Sequence, residues 1–175
     1  MKSTRIGIGV LIIGSVLSVL ILMPVSALTV RLPHEDHRLV KAARVSPGDT
    51  LDLSYRHSVE RTRVVGRFTI GQDQTLLATE TRMTSVGTGL PNCEGNRTHR
   101  EGEWMVVDEG NQKLPGLRFY YTTVNQTQLT VAGQEFEFDA LRSGNLLLIA
   151  VETPRLFQWG RWLVGGRSWP SIEID

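Results

Sequence analysis

Cysteine, lysine and aromatic residues are all scarce in this chain. Its single cysteine, Cys93, excludes an intrachain disulfide, and it lies too far along the chain to serve as a lipobox. Cys93 is then either a buried small hydrophobe or an exposed thiol open to intermolecular pairing. Only three of the nineteen basic residues are lysine, the formal net charge is +1, and the two signs are interspersed. No basic stripe with interleaved aromatics runs through the chain, which excludes the usual footprint of a nucleic-acid binder. Chemistry-bearing motifs are equally thin. There is no G-x-S-x-G nucleophile elbow and no phosphate loop ending in Lys-Ser or Lys-Thr. After residue 30 no long hydrophobic run recurs.

Lys2 and Arg5 precede an uncharged, mostly apolar run from Ile6 to Val30. A basic flank that stays inside while the apolar segment enters the bilayer predicts export of everything beyond it, to the periplasm or the outer face of the cytoplasmic membrane. Val25-Ser26-Ala27 offers small residues of the kind a signal peptidase accepts, with Pro24 breaking the helix ahead of it. Against cleavage, the stretch reaches the roughly 20 residues that span a bilayer as a helix. A cleaved signal peptide and a retained anchor both remain open. The expected partition is residues 1–30 as signal peptide or signal anchor, 31–45 as juxtamembrane linker, 46–152 as one β-domain and 153–175 as a Trp/Arg-rich C-terminal segment.

Short segments of period two, separated by turn residues, predict an all-β domain of about eight mostly antiparallel strands. Leu51–Val59 alternates apolar and polar, with His57 on the apolar side. Val64–Ile70 and Thr75–Met83 flank Gly71-Gln72-Asp73-Gln74, a hairpin whose glycine is expected to supply the positive φ. Further strands are expected at Trp104–Val107, Leu117–Val124, Gln128–Val131, Glu135–Leu141 and Leu146–Val151, with Glu109-Gly110-Asn111 and Ala132-Gly133 among the turns. This spacing suits a sandwich or a partly closed barrel. Thr153-Pro154 reads as the N-cap and first residue of a short C-terminal helix. Trp159, Trp162 and Trp169 lie among Arg155, Arg161 and Arg167, a combination that suits a membrane headgroup layer or a partner, or else seals one open end of the sheet.

His34-Glu35-Asp36-His37 groups two imidazoles and two carboxylates, but a solvated linker is a poor scaffold for a metal. His34 and His37 are therefore weak metal candidates, and neither metal nor cofactor is expected. His57 and Ser58 are adjacent on a strand pattern, so they point to opposite faces and cannot form a nucleophile and base pair. A histidine on the apolar face is either a hydrogen-bonded core residue or a pocket-lining one. Gly87-Thr88-Gly89-Leu90-Pro91 is a tight turn whose N–H groups can form an anion nest, with simple turn geometry as the bland alternative.

With these residues the chain resembles a family of small exported proteins, domain of unknown function 1850. The family pattern is a strand ending in Tyr-x-His-Ser-Val, a spacer leading to Val and glutamate before an aromatic, then a Gly-x-Gly-hydrophobic-Pro turn. Tyr55, His57, Ser58, Val59, Val64, Phe68, Gly87, Gly89, Leu90 and Pro91 match it in order, over roughly Ser46 to Val151. Val65 and Gly66 stand where the family tends to carry glutamate, which leaves Glu60 as the only nearby substitute. The resemblance brings no assigned reaction. It implies a non-catalytic accessory module for a tripartite ATP-independent periplasmic transporter of the TAXI type, contacting the membrane component or the solute-binding protein. The alternative is a small-molecule or hydrolytic site in which Tyr55, His57, Ser58, Gly87, Gly89 and Pro91 converge on one pocket.

Overall fold

The computed structural model describes residues 14, 15, 18, 19, 21–84, 97–136, 138 and 141–165. Much of the expected leader, the Gly87–Pro91 turn, Cys93 and Trp169 lie outside these residues. Among the described residues, eleven strands form two open antiparallel sheets, neither of which closes into a barrel, with a 3-10 turn at Thr123–Asn125 and a short helix after the last strand. The strands are β1 (Ala27–Leu32), β2 (Arg38–Arg44), β3 (Thr50–Arg56), β4 (Arg63–Ile70), β5 (Leu76–Met83), β6 (Thr98–Glu101), β7 (Trp104–Leu114), β8 (Leu117–Tyr120), β9 (Gln128–Val131), β10 (Gln134–Phe136) and β11 (Leu146–Glu152). The helix, α1, is Leu156–Gly165. The smaller sheet has the order β2-β1-β11-β8 and the larger β10-β9-β3-β4-β5-β7-β6.

The two sheets share one core. Leu28, Val30 and Leu32 of β1 and Leu147 and Ile149 of β11 pack with Leu51 and Leu53 of β3, Ile70, Leu76, Leu129 and Val131. Beyond the strands, Phe138 meets the Tyr121 ring edge-on at 5.7 Å between centroids. These alternate positions point inward because successive strand residues face opposite ways.

The largest departure from the sequence reading is at residues 27–44, which form β1 and β2 rather than the end of a leader and a linker. All six residues of β1 are buried, because both of its faces are covered. Ala27, Thr29 and Arg31 face away from the shared core, where Ala27 and Leu39 pack against Trp162 and Trp159 of α1. Arg31 is buried there with three of its five N–H donors engaged. It forms a two-pronged pair with Glu152 (Nε–Oε1 2.6 Å, Nη2–Oε2 2.8 Å), donates from Nη1 to the His37 carbonyl at 2.9 Å, and stacks over the Trp162 ring at 5.4 Å. Thr29 adds a hydroxyl bond to Glu152 Oε1 at 2.8 Å.

Other differences have local causes. Gln74, not Gly71, takes the left-handed conformation (φ 62°) in the β4–β5 hairpin. Glu109-Gly110-Asn111 does not reverse the chain. Gly110 (φ 65°) and Asn111 (φ 57°) instead make a bulge within β7, where its register against β5 shifts between Ala78 and Glu80. Ala132 and Gly133 do form a two-residue turn with both φ positive, joining β9 to β10. Helix α1 begins at Leu156, two residues later than expected for a first helical residue at Pro154. Gln158 Oε1 accepts the Arg155 N–H at 2.7 Å, half of a capping box, while the Pro154 carbonyl is taken by Val25 N–H at 2.8 Å.

Candidate functional site

Strand β3 ends at Arg56, and residues 57–62 turn the chain into β4. The turn is closed by His57 N–H to Thr62 O (2.8 Å) and Arg61 N–H to His57 O (2.9 Å). His57 therefore lies in a turn rather than on a strand face. Its Nδ1 accepts the Glu60 N–H at 3.3 Å, so the imidazole serves the turn itself. Ser58 is exposed, as is Val59, which the alternating pattern placed on the apolar side with His57. Arg61 is a non-glycine residue at φ 54°, and its carbonyl accepts the Arg56 Nε–H at 2.8 Å.

This turn places three arginines at one end of the larger sheet. An open depression of about 570 Å³ is lined by Ser54, Tyr55, Arg56, Arg61, Arg63, Gln126, Thr127 and Gln128. Arg63 is held over it, with Nη2 donating to Ser54 Oγ (3.3 Å) and Gln128 Oε1 (3.2 Å). A second depression of about 300 Å³ lies on the other side of Tyr55, with Leu53, Leu117, Phe119, Tyr120 and Arg118 among its walls. Tyr55 and Thr127 line both. Burial raises the pKa of the Tyr55 hydroxyl, so at neutral pH it remains a hydrogen-bond donor. The Tyr55 ring also packs with Val64, Met83, Met105 and Val107.

Of the sequence-derived ligand residues, Tyr55 lines the cleft, while His57 and Ser58 sit beside it in the turn and line neither depression. Gly87, Gly89 and Pro91 lie outside the described residues. Arg56, Arg61, Arg63 and Gln128 were not singled out from the sequence. The signal was present as three arginines within eight positions, interrupted by a single carboxylate, Glu60. At the position of the expected family glutamate, Val65 lies opposite Ser54 and Arg82, and the Phe68 ring covers the bare backbone of Gly66. Glu60 is exposed in the turn.

His34 and His37 occupy the tight β1–β2 hairpin, where Glu35 is engaged by Arg38 Nε at 2.9 Å. Among the described residues no three of His, Cys, Asp and Glu are grouped to hold a metal ion. Trp162 is buried and Trp159 half-buried against the outer face of the smaller sheet, with their rings edge-on at 6.0 Å. They cover a sheet face rather than an open sheet end. Among the α1 side chains that are described, Leu156 and Phe157 are the large apolar ones left exposed.

No curated protein and no solved structure matches the chain. Residues 51–138 match the family described as Domain of unknown function (DUF1850).

Proposed function

The chain belongs to this domain of unknown function family, and from that premise we propose that it is a non-catalytic accessory module retained on the outer face of the cytoplasmic membrane. One observation carries the reading: the sequence that a signal peptidase would cut is built into the fold. Val25 and Ala27 are buried, Val45 donates to the Ser26 carbonyl at 3.0 Å, and Val25 N–H bonds Pro154 O at 2.8 Å. Just ahead of them, the Met23 carbonyl accepts the Leu156 N–H at 2.8 Å, and Pro24 bridges to Arg155. Cleavage after Ala27 would remove those partners, so the folded domain favours a leader that stays. Only Pro24, Val25 and Ser26 then separate Met23 from the first strand, so a retained anchor would hold the domain close to the bilayer.

The two open sheets with their common core are best read as a β-sandwich. Among the described residues no helix is long and apolar enough to cross a membrane, and the anchor of this proposal is the apolar run from Ile6 to Met23, much of which lies outside them. The module works by contact, and its partner is the membrane component or solute-binding protein of a TAXI-type tripartite transporter. That link rests on the family resemblance alone.

Intact mass and N-terminal sequencing of the protein extracted from native membranes test retention. A chain that keeps the segment before Pro24 is expected, and a mature terminus at Leu28 overturns the anchored form. Chemical crosslinking on intact spheroplasts tests the partner. Adducts to a transporter component are expected, and their absence from a chain that crosslinks efficiently to other membrane proteins removes that assignment.

A further inference from the structure

We propose that the cleft around Tyr55 is a binding site for an organic anion with an apolar body. The anionic head is held by Arg56, Arg61 and Arg63, and the body lies along Tyr55 toward Leu53, Leu117 and Phe119. The site goes beyond the membrane-held module above and does not depend on it.

Charge is the first argument. Arg56, Arg61 and Arg63 line one depression and Arg118 the adjoining one, and among the described residues no carboxylate lines either. None of the four forms an ion pair among those residues, whereas Arg31, Arg38, Arg67 and Arg82 each do. Gathering like charges at one concave site raises the local concentration of anions.

Pre-organisation is the second. A guanidinium carries five N–H donors in a fixed fork. Arg56 spends Nε on the Arg61 carbonyl and Arg63 spends Nη2 on Ser54 and Gln128, which fixes both forks and leaves donors for a ligand. The Arg61 backbone is held in a conformation that is costly for a residue with a Cβ, and such local cost is characteristic of functional sites.

The adjoining apolar walls select the ligand class. An inorganic anion would use only the arginine side, and a neutral apolar molecule only the Leu53, Leu117 and Phe119 side. Tyr55 and Thr127 belong to both, so a molecule with a charged head and an apolar body contacts the whole cleft. Its volume of about 570 Å³ on the arginine side alone is within the roughly 300–1,000 Å³ of small-molecule sites.

Isothermal titration of the full-length protein with 3-phenylpropionate tests this, with acetate and 3-phenylpropan-1-ol as the head-only and body-only probes. Saturable binding of 3-phenylpropionate is expected, with each half-probe weaker by about tenfold or more, the size of one charge-assisted hydrogen bond. Arg61→Gln, whose side chain makes no hydrogen bond among the described residues, should weaken binding by a similar factor at an unchanged melting temperature. Arg142→Gln, outside the cleft, should leave it unaltered and serves as the control. Added sodium chloride should weaken binding by screening. Equal binding of acetate, equal binding of the alcohol, no binding of any probe, or an Arg61→Gln protein that binds as the parent does would each overturn the proposal.

Discussion

Individual side chains carry sharp consequences here. Gly116 precedes β8, and a Cβ built on it would lie 2.9 Å from the Ile149 carbonyl oxygen and 3.3 Å from Ala150 Cβ. Backbone cannot yield cheaply, so Gly116→Ala should cost about 1–3 kcal/mol in urea unfolding, an overpacking effect. Asp73, in the β4–β5 turn, is bonded by Lys113 Nζ at 2.6 Å and by Thr75. The lysine first and the threonine second hold its pKa down to about 2, from an ordinary 3.8. A depressed carboxylate adds stability above its ordinary range and loses it as pH falls, here across the window from about 4 to about 2. In Lys113→Gln the Asp73 carboxyl resonance should titrate closer to 3.8, and an unmoved midpoint would rule out the pairing. His57 shows why a residue pattern can mislead at this scale. It continues the apolar alternation of Leu53 and Tyr55, yet the strand stops at Arg56 because the chain must turn to begin β4. Periodicity carries no mark of that end.

Elements differ in how much of them the chain announces. Strands β3, β4, β5, β9 and β11 alternate or run apolar between clear turn residues, and they are legible. β1 is not, because a strand covered on both faces looks like a continuation of an apolar leader. Arg31, which read as the first charge beyond the membrane segment, is inside the domain only because Glu152, the His37 carbonyl and the Trp162 ring meet it there, with Thr29 bonded in turn to Glu152. Those partners come from β1, β2, β11 and α1 and their junctions, a convergence that no local window contains. The cluster makes its own prediction. Glu152→Ala leaves a buried guanidinium uncompensated and should cost about 3–5 kcal/mol, whereas Arg31→Met combined with Glu152→Met should lose much less. Chemical denaturation of Glu152→Ala, and of Arg31→Met, Glu152→Met and their double variant as a closed cycle, checks this, and a strictly additive result in the cycle would mean that the pair does not act as a unit. The arginine cleft was legible only as composition, since β9 is what brings Gln128 to Arg63 across 65 residues.

Among the described residues, the first and last strands close the smaller sheet together. β1, the first strand, is paired along its length with β11, the last, from Ala27 opposite Glu152 to Arg31 opposite Leu148. β11 also carries β8 on its other edge. A chain ending after Gly144 therefore loses the strand that joins β8 to β1, and it should be digested by protease under conditions in which the chain ending after Gly165 resists. Survival of the shorter chain would show that the larger sheet folds alone.

An ordering in time follows from that closure. In an exported chain with a retained anchor, Ala27 emerges first and waits at the bilayer surface while about 120 further residues are threaded through. Until Leu146–Glu152 arrives, β1 in such a chain would have an unfilled edge, open to pairing with another strand. The arrangement rewards fast delivery of the carboxy-terminal portion, and a pause late in synthesis would be more harmful to this protein than the same pause early on.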